Sequence, residues 1–534
     1  MCGIIGVAGS GEALHLVRRG MKEIEHRGMD GSSYETGSIQ GNDYALGHCL
    51  HSMDGDVRQP LRRDDKEGED NRSSPSIFTS NCEIYNWKEL DRKHSLKARN
   101  DSEALFRLLQ KSGAGRINKT LELLDGVYAF AYMTRGKLVL ARDIIGVKPL
   151  WCSYLTDYKT NDKTDDESGN KGQVSVFAFA SEGKALKRMG FTDIKELDPR
   201  KMLTYDVSKG KISFRRRAFF SARPVLRSSR KRIETKTAEL ASEAVMKRLP
   251  EKKFGLLFSG GVDSGFLALL LKRQSEKAYA EGMRGAGRSF TCYTAAFGSG
   301  GMKEAEDLRY AKRAAKLLGL KLRIVKIKER DIEKHLKRVM DIIEDDDVMK
   351  IGVALPFYLA CREAKKDGCR AIFSGLGSEE IFGGYERHAM AAEKKSGKRG
   401  GEKSGKDKGE KNGTDSVNEE CLKGLLKMHE RDTYRDDTVA MHNNLELRLP
   451  FLDRDLVKYA LKIPGRYKIS HGQTKMILRE AALREGLDRE TAMRKKRAAQ
   501  YGSNSHKVMR KLARKRGFRR VSDYVGALRG DQEG

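Results

Sequence analysis

Hydrophobic residues follow two different periods along the chain. In the first part, short apolar runs alternate with charged or Gly/Asn-rich loops and predict strands at 4–8, 76–80, 127–133, 137–142 and 174–180. Leu14, Val17, Met21 and Ile24 recur at helical spacing, so a helix is predicted over 12–26. This pattern favours a layered, strand-rich domain over residues 1–205.

Strand and helix patterns alternate from Ala238 onward. The apolar run 254–258 leads through two glycines into a helix that begins near Asp263. Later apolar runs alternate with helical patterns such as Asp307–Leu318, and they lie at 290–297, 321–327 and 370–374. Such alternation is typical of a doubly wound parallel sheet, which we predict for residues 238–534.

Three stretches show neither period. Residues 206–237 are rich in Lys and Arg and are predicted to form a basic linker between the two domains. Residues 156–173 are almost wholly polar and predict a surface insertion. The Lys/Gly/Ser/Glu-rich segment 393–417 cannot bury a core, so it predicts a mobile insert in the second domain.

The composition describes a heavily solvated globular protein. The chain has 534 residues, 38% hydrophobic and 34% charged, and its apolar stretch 351–361 is far shorter than the roughly 18 residues that span a bilayer. No basic-then-apolar signal opens the chain, so we expect no membrane span and a cytoplasmic location. Eight cysteines without a CxxC pair imply neither a zinc site nor a disulfide framework.

The net charge of +30 would attract polyanions. Lys and Arg are spread through helices and inserts and are not interleaved with aromatic residues, so no specific nucleic-acid partner is expected. A polyanion-binding scaffold stays open as a function of a different class, and a steep loss of RNA binding with salt would favour it.

Cys2 directly follows the initiator methionine. Removal of the methionine would place a thiol nucleophile and an α-amino base in one residue, as in N-terminal-nucleophile enzymes. A cysteine at this position can equally be an inert small hydrophobe. Cys2 alone therefore does not decide between the two interpretations.

The sequence Ser-Gly-Gly-Val-Asp-Ser at 259–264 lies between an apolar strand and a helix. Glycine lets backbone N–H groups approach an anion, and the hydroxyls and the helix N-terminus add donors for phosphate. No GK[ST] follows, so this is not a Walker loop, and an ordinary strand-to-helix turn is the alternative. The segment resembles the pyrophosphate-binding loop of N-type ATP pyrophosphatases, in which Asp263 would serve Mg²⁺.

Further motifs in the same order resemble the glutamine-hydrolysing asparagine synthetases of the B type over nearly the whole chain. In the first half they are Met-Cys-Gly-Ile, His26-Arg27-Gly28-x-Asp30, Gln59-Pro60-Leu61, Glu83-Ile84-Tyr85-Asn86, Ala141-Arg142-Asp143, Gly146–Leu150 and Ala180-Ser181-Glu182. In the second half they are Ser259–Ser264, Ser374-Gly375-x-Gly377-Ser378, Glu380, Phe382–Tyr385, Glu446–Asp453, Lys475 and Leu478-Arg479-Glu480.

The resemblance implies an α/β and α+β protein. Its first domain would be a class II glutamine amidotransferase with the four-layer αββα N-terminal-nucleophile fold, and its second an ATP-pyrophosphatase-like domain. The implied activity is that of an ATP-dependent ligase of asparagine biosynthesis: ammonia from L-glutamine attacks the β-adenylate of L-aspartate. ATP and Mg²⁺ are the implied cofactors, and a homodimer is one implied assembly.

In the first domain the resemblance assigns Cys2 as nucleophile. The oxyanion hole would be the Asn81 side chain and the N–H of Cys82, and Glu83 and Asp101 would line the glutamine pocket. The family has glycine where Cys82 stands. It also has His-x-Arg-Leu where this chain has His-Cys-Leu-His at 48–51, so the arginine that clamps the α-carboxylate is absent. Arg58 is one candidate to supply the missing charge for the glutamine α-carboxylate. The alternative is that glutamine binds weakly and the protein uses free ammonia.

In the second domain the resemblance assigns Lys475 to charge stabilisation during acyl transfer. The implied metal ligands are Asp263, Asp347 and Glu379. The implied ATP-binding residues are Leu257, Ser259, Gly260, Gly261, Asp263, Ser264, Ala295, Ser374 and Gly375. The family's catalytic glutamate is replaced by Leu376, so Glu379 is expected to substitute for it, or the acceptor carboxylate differs from aspartate.

Overall fold

The computed structural model describes residues 2–53, 57–63, 75–156, 174–282, 290–297, 304–397, 415–495 and 497–533. Two compact units divide the chain, Met1–Phe219 and Phe220–Gly534. The predicted surface insertion lies outside the described residues except for its first residue, and so do residues 398–414 of the predicted insert.

Two antiparallel sheets form the first unit. Its strands are β1 (Gly3–Ala8), β2 (Gly31–Ile39), β3 (Asn42–Leu50), β4 (Leu61–Arg63), β5 (Ser76–Ile84), β6 (Gly126–Thr134), β7 (Lys137–Arg142), β8 (Trp151–Thr156), β9 (Val174–Ala180), β10 (Lys195–Glu196), β11 (Lys201–Asp206) and β12 (Lys211–Arg216). Its helices are α1 (Ala13–Ile24), α2 (Trp87–His94), α3 (Asp101–Ser112), α4 (Ile117–Leu123) and α5 (Gly183–Met189). The strand orders are β10-β8-β9-β1-β3-β2 and β12-β11-β7-β6-β5-β4.

Three apolar cores show how these elements are layered. Side chains alternate between the faces of a strand, so Ile4 of β1 joins the core between the two sheets while Ile5 joins the core under α1 and α5. On the second sheet, Ile77 faces the first sheet and Phe78 packs against α3. The order of layers is helix, sheet, sheet, helix, and it confirms the predicted αββα fold.

The region predicted as a basic linker contains regular structure. Within 206–237, β12 pairs with β11 as the edge strand of the second sheet, and the N-terminal part of a helix begins at Arg230. Most residues of β12 are exposed, because an edge strand needs no continuous apolar run. The hydrophobic pattern therefore did not reveal it.

The second unit is an α/β domain. Its strands are β13 (Phe254–Leu257), β14 (Thr291–Ala295), β15 (Lys321–Val325), β16 (Ala371–Phe373) and β17 (Glu446–Arg448). Its helices are α6 (Arg230–Met246), α7 (Val262–Ala280), α8 (Glu306–Leu318), α9 (Glu329–Ile343), α10 (Val348–Lys366), α11 (Ser378–Phe382), α12 (Glu386–Gly397), α13 (Ser416–Leu426), α14 (Tyr434–His442), α15 (Arg454–Ala460), α16 (Gly465–Lys468), α17 (Met476–Arg484), α18 (Arg489–Met493), α19 (Ala499–Gly502), α20 (Ser505–Lys515) and α21 (Val521–Glu533). A π-helical turn, His429–Thr433, precedes α14.

The five strands of this unit are parallel, in the order β15-β14-β13-β16-β17, as predicted. The chain runs from β13 outward through β14 and β15, then crosses to the other side of β13 to form β16. This reversal creates a crevice outside the carboxyl ends of β13 and β16, where doubly wound sheets bind ligands.

The described ends of the predicted insert are helical. Residues 393–397 complete α12, and α13 begins at Ser416 with Asp415 as its N-cap, so the segment without described structure is shorter than the prediction. No helix among the described residues is both long and apolar enough to cross a membrane.

Candidate active sites

The start of β1 places Cys2 against β5 of the facing sheet. The Cys2 backbone N–H donates to Oδ1 of Asn81 at 3.0 Å, and only 8% of Cys2 is exposed. Nδ2 of Asn81 is buried and has no hydrogen-bond partner among the described residues. A buried donor without an acceptor is costly. It is therefore suited to receive an oxyanion beside the Cys2 thiol.

A buried ion cluster fixes the backbone at Cys2. Nη1 of Arg27 lies 2.6 Å from Oε1 of Glu182, and Nε of Arg27 donates to the Cys2 carbonyl oxygen at 3.3 Å. His26 and Lys184 contact the same carboxylate at 2.9 and 2.6 Å. Burial by itself would raise the pKa of Glu182, but His26, Lys184 and Arg27 hold it well below its usual range. Residues of two of the quoted motifs, around Arg27 and Glu182, thus hold the backbone of the predicted nucleophile, Cys2.

The backbone of β5 offers a second donor at the predicted oxyanion hole. The N–H groups of successive residues in an antiparallel strand point alternately toward and away from the neighbouring strand. The N–H of Tyr85 donates to Asp125 on the β6 side, so the N–H groups of residues 80, 82 and 84 point away from β6. Ser80 donates to Gln59 at 2.7 Å and Ile84 to Asp101 at 3.0 Å. The N–H at residue 82 lies between them and has no acceptor among the described residues.

The thiol of Cys82 occupies the space beside Asp101. Its Sγ lies 3.5 Å from Oδ2 of Asp101, 3.2 Å from Oγ of Ser102 and 3.4 Å from Oγ of Ser80. Burial, together with the Asp101 charge, raises the pKa of the Cys82 thiol well above its usual value. The predicted glutamine pocket therefore contains a neutral thiol that is in contact with the expected ligand for the α-amino group. Glu83 is adjacent on β5 and half-buried.

The segment 48–51, which lacks the expected arginine, lies at the end of β3. His48 is buried and donates through Nε2 to the carbonyl oxygen of Ser80 at 3.2 Å. Burial lowers the pKa of His48 to about 3, so the ring is neutral and carries no charge for a carboxylate. Arg58, the predicted substitute, is exposed and has no salt bridge to a described residue.

In the second unit, the loop 259–264 joins β13 to α7 at the sheet reversal. Gly260 has φ +69°, and a Cβ there would lie 2.4 Å from the backbone of Tyr310, so only glycine fits. The loop is fastened by Oγ of Ser264, 3.3 Å from both N and Oγ of Ser259. Gly261 is the N-cap of the 19-residue helix α7, whose first N–H groups are available for an anion.

Lys475 lies at the centre of a cluster of charges. Its side chain is fully buried, and Nζ donates to both carboxylate oxygens of Asp263 at 2.8 Å, to Oγ of Ser378 at 2.9 Å and to Oε2 of Glu379. The absence of a Cβ at Gly375 allows this packing, because a Cβ there would lie 3.0 Å from Cβ of Asp263. The structure thus brings together an aspartate in the first turn of α7, a glutamate of α11 and a lysine, each more than 90 residues from the next along the chain.

One cavity of about 600 Å³ adjoins this cluster. Its lining includes most of the predicted ATP and metal residues: Leu257, Ser259, Asp263, Ser264, Ala295, Asp347, Ser374, Gly375 and Glu379. Leu257 and Ala295 end β13 and β14, and Ser374 follows β16, so the lining comes from the carboxyl ends of three neighbouring strands. The Asp347 carboxylate caps α10 by accepting hydrogen bonds from Met349 N at 2.9 Å and from Lys350 N at 2.8 Å.

Sequence reasoning missed several charged residues near the cavity. Arg494 donates to Ser259 O and to Asp307 Oδ1, both at 2.6 Å, so its charge lies against the loop 259–264. Arg387, Arg431, Asp432, Arg435 and Asp436 also line the cavity. The run Arg494–Arg497 was visible as a basic cluster, but nothing in the sequence joined it to a loop more than 200 residues earlier.

The donor set at Lys475 suits a magnesium–phosphate complex. Among the described residues no group of three or more His, Cys, Asp or Glu side chains could hold a metal ion. Mg²⁺, however, is commonly bound by one or two carboxylates together with substrate phosphates. Asp263 and Glu379 supply two carboxylates that already share one cation, the Lys475 ammonium.

Comparison with known families explains the pairing of these two sites. The family model described as "Glutamine amidotransferase domain" matches residues 1–236, and the one described as "Asparagine synthase" matches residues 236–526. The chain belongs to the asparagine synthase family. Its members are ligases, and the relatives found are named as glutamine-hydrolysing asparagine synthetases.

Relatives of the asparagine synthase family cover most of the chain. A putative asparagine synthetase (glutamine-hydrolyzing) 1 of Methanocaldococcus jannaschii is 31% identical over 516 residues, which are 84% of this chain and 82% of the relative. Asparagine synthetase (glutamine-hydrolyzing) 3 of Arabidopsis thaliana is 28% identical and covers 88% of this chain and 72% of its own. The nodule asparagine synthetase of Pisum sativum is also 28% identical, with 90% and 74% covered.

Two solved structures among those found are only weakly similar to this chain. One, described as the allosteric regulatory enzyme of purine biosynthesis, has a TM-score of 0.33 and 18% identity, and covers 48% of this chain and 60% of its own. A glutamine phosphoribosylpyrophosphate amidotransferase from B. subtilis has a TM-score of 0.32 and 17% identity, and covers 62% and 67%.

Proposed function

We propose that this chain makes asparagine from aspartate, ATP and glutamine, with the glutaminase reaction in residues 1–219 and the ligase reaction in residues 220–534. One observation carries the proposal: the buried Lys475 binds Asp263, Ser378 and Glu379 beside the cavity that the phosphate loop lines. An ammonium held between carboxylates at a glycine-rich anion loop suits the cleavage of ATP at its α-phosphate.

The first reaction forms a thioester. The Cys2 thiol, deprotonated by its own α-amine after methionine removal, attacks the side-chain amide of glutamine. Nδ2 of Asn81, a buried donor without an acceptor among the described residues, stabilises the oxyanion together with the N–H at residue 82, which points away from β6. Ammonia leaves, and water hydrolyses the thioester to glutamate. Asp101 is the proposed anchor of the glutamine α-amine, beside Glu83.

The second reaction forms and consumes an acyl adenylate. A carboxylate of aspartate attacks the α-phosphorus of ATP, and pyrophosphate leaves into the loop 259–264. Asp263 and Glu379 would hold Mg²⁺ with the phosphate oxygens, and the ion would neutralise charge on the leaving group. Asp347, on the cavity wall, remains a third predicted ligand. Ammonia then displaces AMP while the Lys475 ammonium balances the developing charge.

The decisive experiment compares nitrogen sources. AMP and asparagine are measured from ATP, magnesium and aspartate with glutamine or ammonium, in the wild-type protein and in Cys2→Ala. We expect asparagine from both sources in the wild type. Cys2→Ala should abolish glutamine-driven synthesis, because the nucleophile is gone, and leave ammonium-driven synthesis intact.

Other results would favour the alternatives. Equal loss of both activities in Cys2→Ala would contradict the division of labour. Ammonium-only activity of the wild type would place the defect in the glutamine pocket, at Cys82 or at the missing arginine. No AMP from aspartate, but AMP from another carboxylic acid, would favour a different acceptor, which Leu376 on the cavity wall allows. A homodimer and a cytoplasmic location remain predictions.

A further inference from the structure

A second cavity, of about 800 Å³, lies in the first unit on the side of the second sheet that packs against α3. Its lining comes from β4, from residues 95–99, from α3 and from the turn between β6 and β7. Cys2, Asn81, Cys82 and Asp101 do not line it, so it is separate from the predicted glutaminase pocket. Small-molecule sites have volumes of roughly 300–1,000 Å³. The cavity is therefore of a suitable size for a small ligand.

The buried part of the lining is apolar and aromatic. Leu96, Phe106 and Tyr132 are all buried, and the rings of Phe106 and Tyr132 meet edge to face with their centroids 6.1 Å apart. Such a surface favours contact with the apolar or aromatic part of a ligand, because both surfaces are then removed from water.

Two hydroxyl groups in the same part of the lining have donors to offer a ligand. Only 3% of Tyr132 is exposed, and its hydroxyl has no hydrogen-bond partner among the described residues. The Ser76 hydroxyl donates to Oγ1 of Thr134 at 3.4 Å, which leaves the Thr134 hydroxyl hydrogen without an acceptor in the described part of the chain. Buried hydroxyls usually have a partner. Those of Tyr132 and Thr134 are therefore suited to polar groups of a ligand.

Basic side chains dominate the rest of the lining. Its charged residues are one carboxylate, Glu103, and six cations: Arg62, Arg63, Arg99, Arg107, Lys111 and Arg135. Glu103 is shared by Arg99 at 2.9 Å and Arg107 at 2.6 Å, and Arg62 lies 3.6 Å from Glu35 outside the cavity.

The other three cations have no carboxylate partner among the described residues. Arg63 donates to Oε1 of Gln110 at 3.4 Å, and Lys111 donates to the carbonyl oxygen of His94 at 2.7 Å. Both acceptors are neutral. Arg135 is exposed and forms no hydrogen bond or salt bridge with a described residue. Arginine and lysine are the side chains that bind phosphate groups, so three unbalanced charges suit a ligand with more than one phosphate.

We propose that this cavity binds a nucleoside di- or triphosphate, at a site distinct from both proposed reaction centres. The base lies against Phe106 and Tyr132, and the phosphates face Arg63, Lys111 and Arg135. A concave site with a buried aromatic surface favours a small molecule over RNA, which needs a basic surface that follows several successive phosphates.

Magnesium and the choice of base separate this site from the ligase cavity. Asp263 and Glu379 would bind a nucleotide together with Mg²⁺, whereas the carboxylate in the described lining here, Glu103, is already paired with two arginines. We therefore measure binding of radiolabelled GDP to the full-length protein by equilibrium dialysis in EDTA. One GDP should bind per chain, and added Mg²⁺ should weaken binding because the ion neutralises phosphate charge. GMP and tripolyphosphate should compete more weakly than GDP, since one lacks the second phosphate and the other lacks the base.

Variants of the lining locate the bound GDP. Arg63→Gln and Arg135→Gln should each raise the Kd roughly 5- to 10-fold, as expected for loss of one charged hydrogen bond at an exposed site. Tyr132→Phe removes only the hydroxyl and should raise the Kd roughly 2- to 5-fold. The control Lys119→Gln changes an exposed lysine of α4 that does not line the cavity, and its Kd should equal that of the wild type.

Four results would overturn the proposal. They are no GDP binding to the wild type in EDTA, an unchanged Kd in the double variant Arg63→Gln/Arg135→Gln, competition by tripolyphosphate as strong as by GDP, and displacement of GDP by a short RNA at lower concentration than by GTP.

A further variant tests the chain's own carboxylates as the competing anion. Residues 64–74, which lie outside the described residues, follow Arg63 and contain Asp64, Asp65, Glu67, Glu69 and Asp70. If GDP binds only after these five are changed to Asn or Gln, the cavity is not a nucleotide site in the natural chain and the proposal is wrong. The ligase function can fail without changing any of these results, because GDP binding is measured without magnesium or turnover.

Discussion

At the residue scale, the side chain of Cys82 is the feature that most changes the expected glutaminase pocket. Its backbone N–H remains available as an oxyanion donor. Its thiol, however, contacts Asp101, Ser102 and Ser80 on the face of β5 that packs against α3. A ligand amine that binds Asp101 must compete with this contact and displace a buried sulfur atom. We therefore expect the thiol to weaken glutamine binding at the proposed Asp101 anchor while the backbone donor at residue 82 is kept.

We predict that Cys82→Gly raises kcat/KM for glutamine hydrolysis several-fold, because the thiol no longer competes with the glutamine amine for Asp101. This increase corresponds to about 1 kcal/mol of activation free energy. The effect should lie mainly in KM, because the oxyanion donors are unchanged. Glutamate release from glutamine measures it. Glycine in a strand costs about 0.5–1 kcal/mol of stability, which a urea titration would report separately.

Cys82→Ser is the matched control for that prediction. A serine hydroxyl keeps a donor beside Asp101, so kcat/KM should stay close to the wild-type value. Equal kcat/KM in the wild type and in Cys82→Gly would show that the thiol does not limit glutamine binding, and the missing arginine at residues 48–51 would then be the remaining explanation for weak binding.

At the element scale, His48 connects the two sheets of the first unit by joining β3 to β5. Burial lowers its pKa from 6.5 to about 3. The unfolded chain protonates this ring near pH 6.5, whereas the folded chain does so only near pH 3. Between these values the unfolded state binds the additional proton, so the free energy of unfolding falls as the pH is lowered.

We predict that His48→Gln reduces the acid sensitivity of the first unit. The glutamine amide can donate to Ser80 as the ring does but does not titrate. Between pH 6 and pH 4 the wild type should lose up to about 1.4 kcal/mol more per pH unit than the variant. Urea unfolding followed by tryptophan fluorescence measures this in the first unit, because both tryptophans, Trp87 and Trp151, lie there. Parallel pH profiles would show that folding does not lower the pKa of His48.

Other elements show what the hydrophobic pattern can reveal. The central strands β1, β6, β7 and β9 were predicted because they are buried on both faces and read as continuous apolar runs. The edge strands β2 and β12 were missed, since most of their residues are polar and exposed. The start of α7 was predicted because the glycine loop marks it in the sequence.

At the scale of the whole molecule, each unit has its own hydrophobic core and its own set of reactive groups. Cys2, Asn81 and Asp101 all lie in Met1–Phe219, and Asp263, Glu379 and Lys475 all lie in Phe220–Gly534. No reactive group of one proposed half-reaction belongs to the other unit. Loss of one chemical step should therefore leave the other step measurable in the same chain.

We predict that Asp263→Asn lowers AMP formation at least about 100-fold with either nitrogen source. The asparagine side chain removes one of the two carboxylates that Lys475 holds, and with it the charge for a magnesium–pyrophosphate complex. Glutamate release from glutamine should stay at the wild-type rate. Both products are measured in one assay, and Asp523→Asn, an exposed aspartate in α21, is the control.

Two outcomes would contradict this prediction. Retained AMP formation in Asp263→Asn would exclude a role for this carboxylate in pyrophosphate release. Loss of glutamine hydrolysis in the same variant, with the circular dichroism spectrum unchanged, would show that the first unit depends on chemistry in the second and that the two half-reactions are not separable.

The sequence by itself determined the family and the order of its two parts, and it predicted Cys2 as the nucleophile and the loop 259–264 as a phosphate site. These signals lie in short segments of the sequence. A glycine loop between a strand and a helix, or a family motif, can be identified from its own residues without knowing which distant residues pack against it. Only the tertiary structure decided which charges share a site. Lys475 meets Asp263, and Arg494 meets Ser259, through packing of distant elements. Burial, which decides whether such charges are paired or left with unused donors, exists only once the sheets and helices have packed.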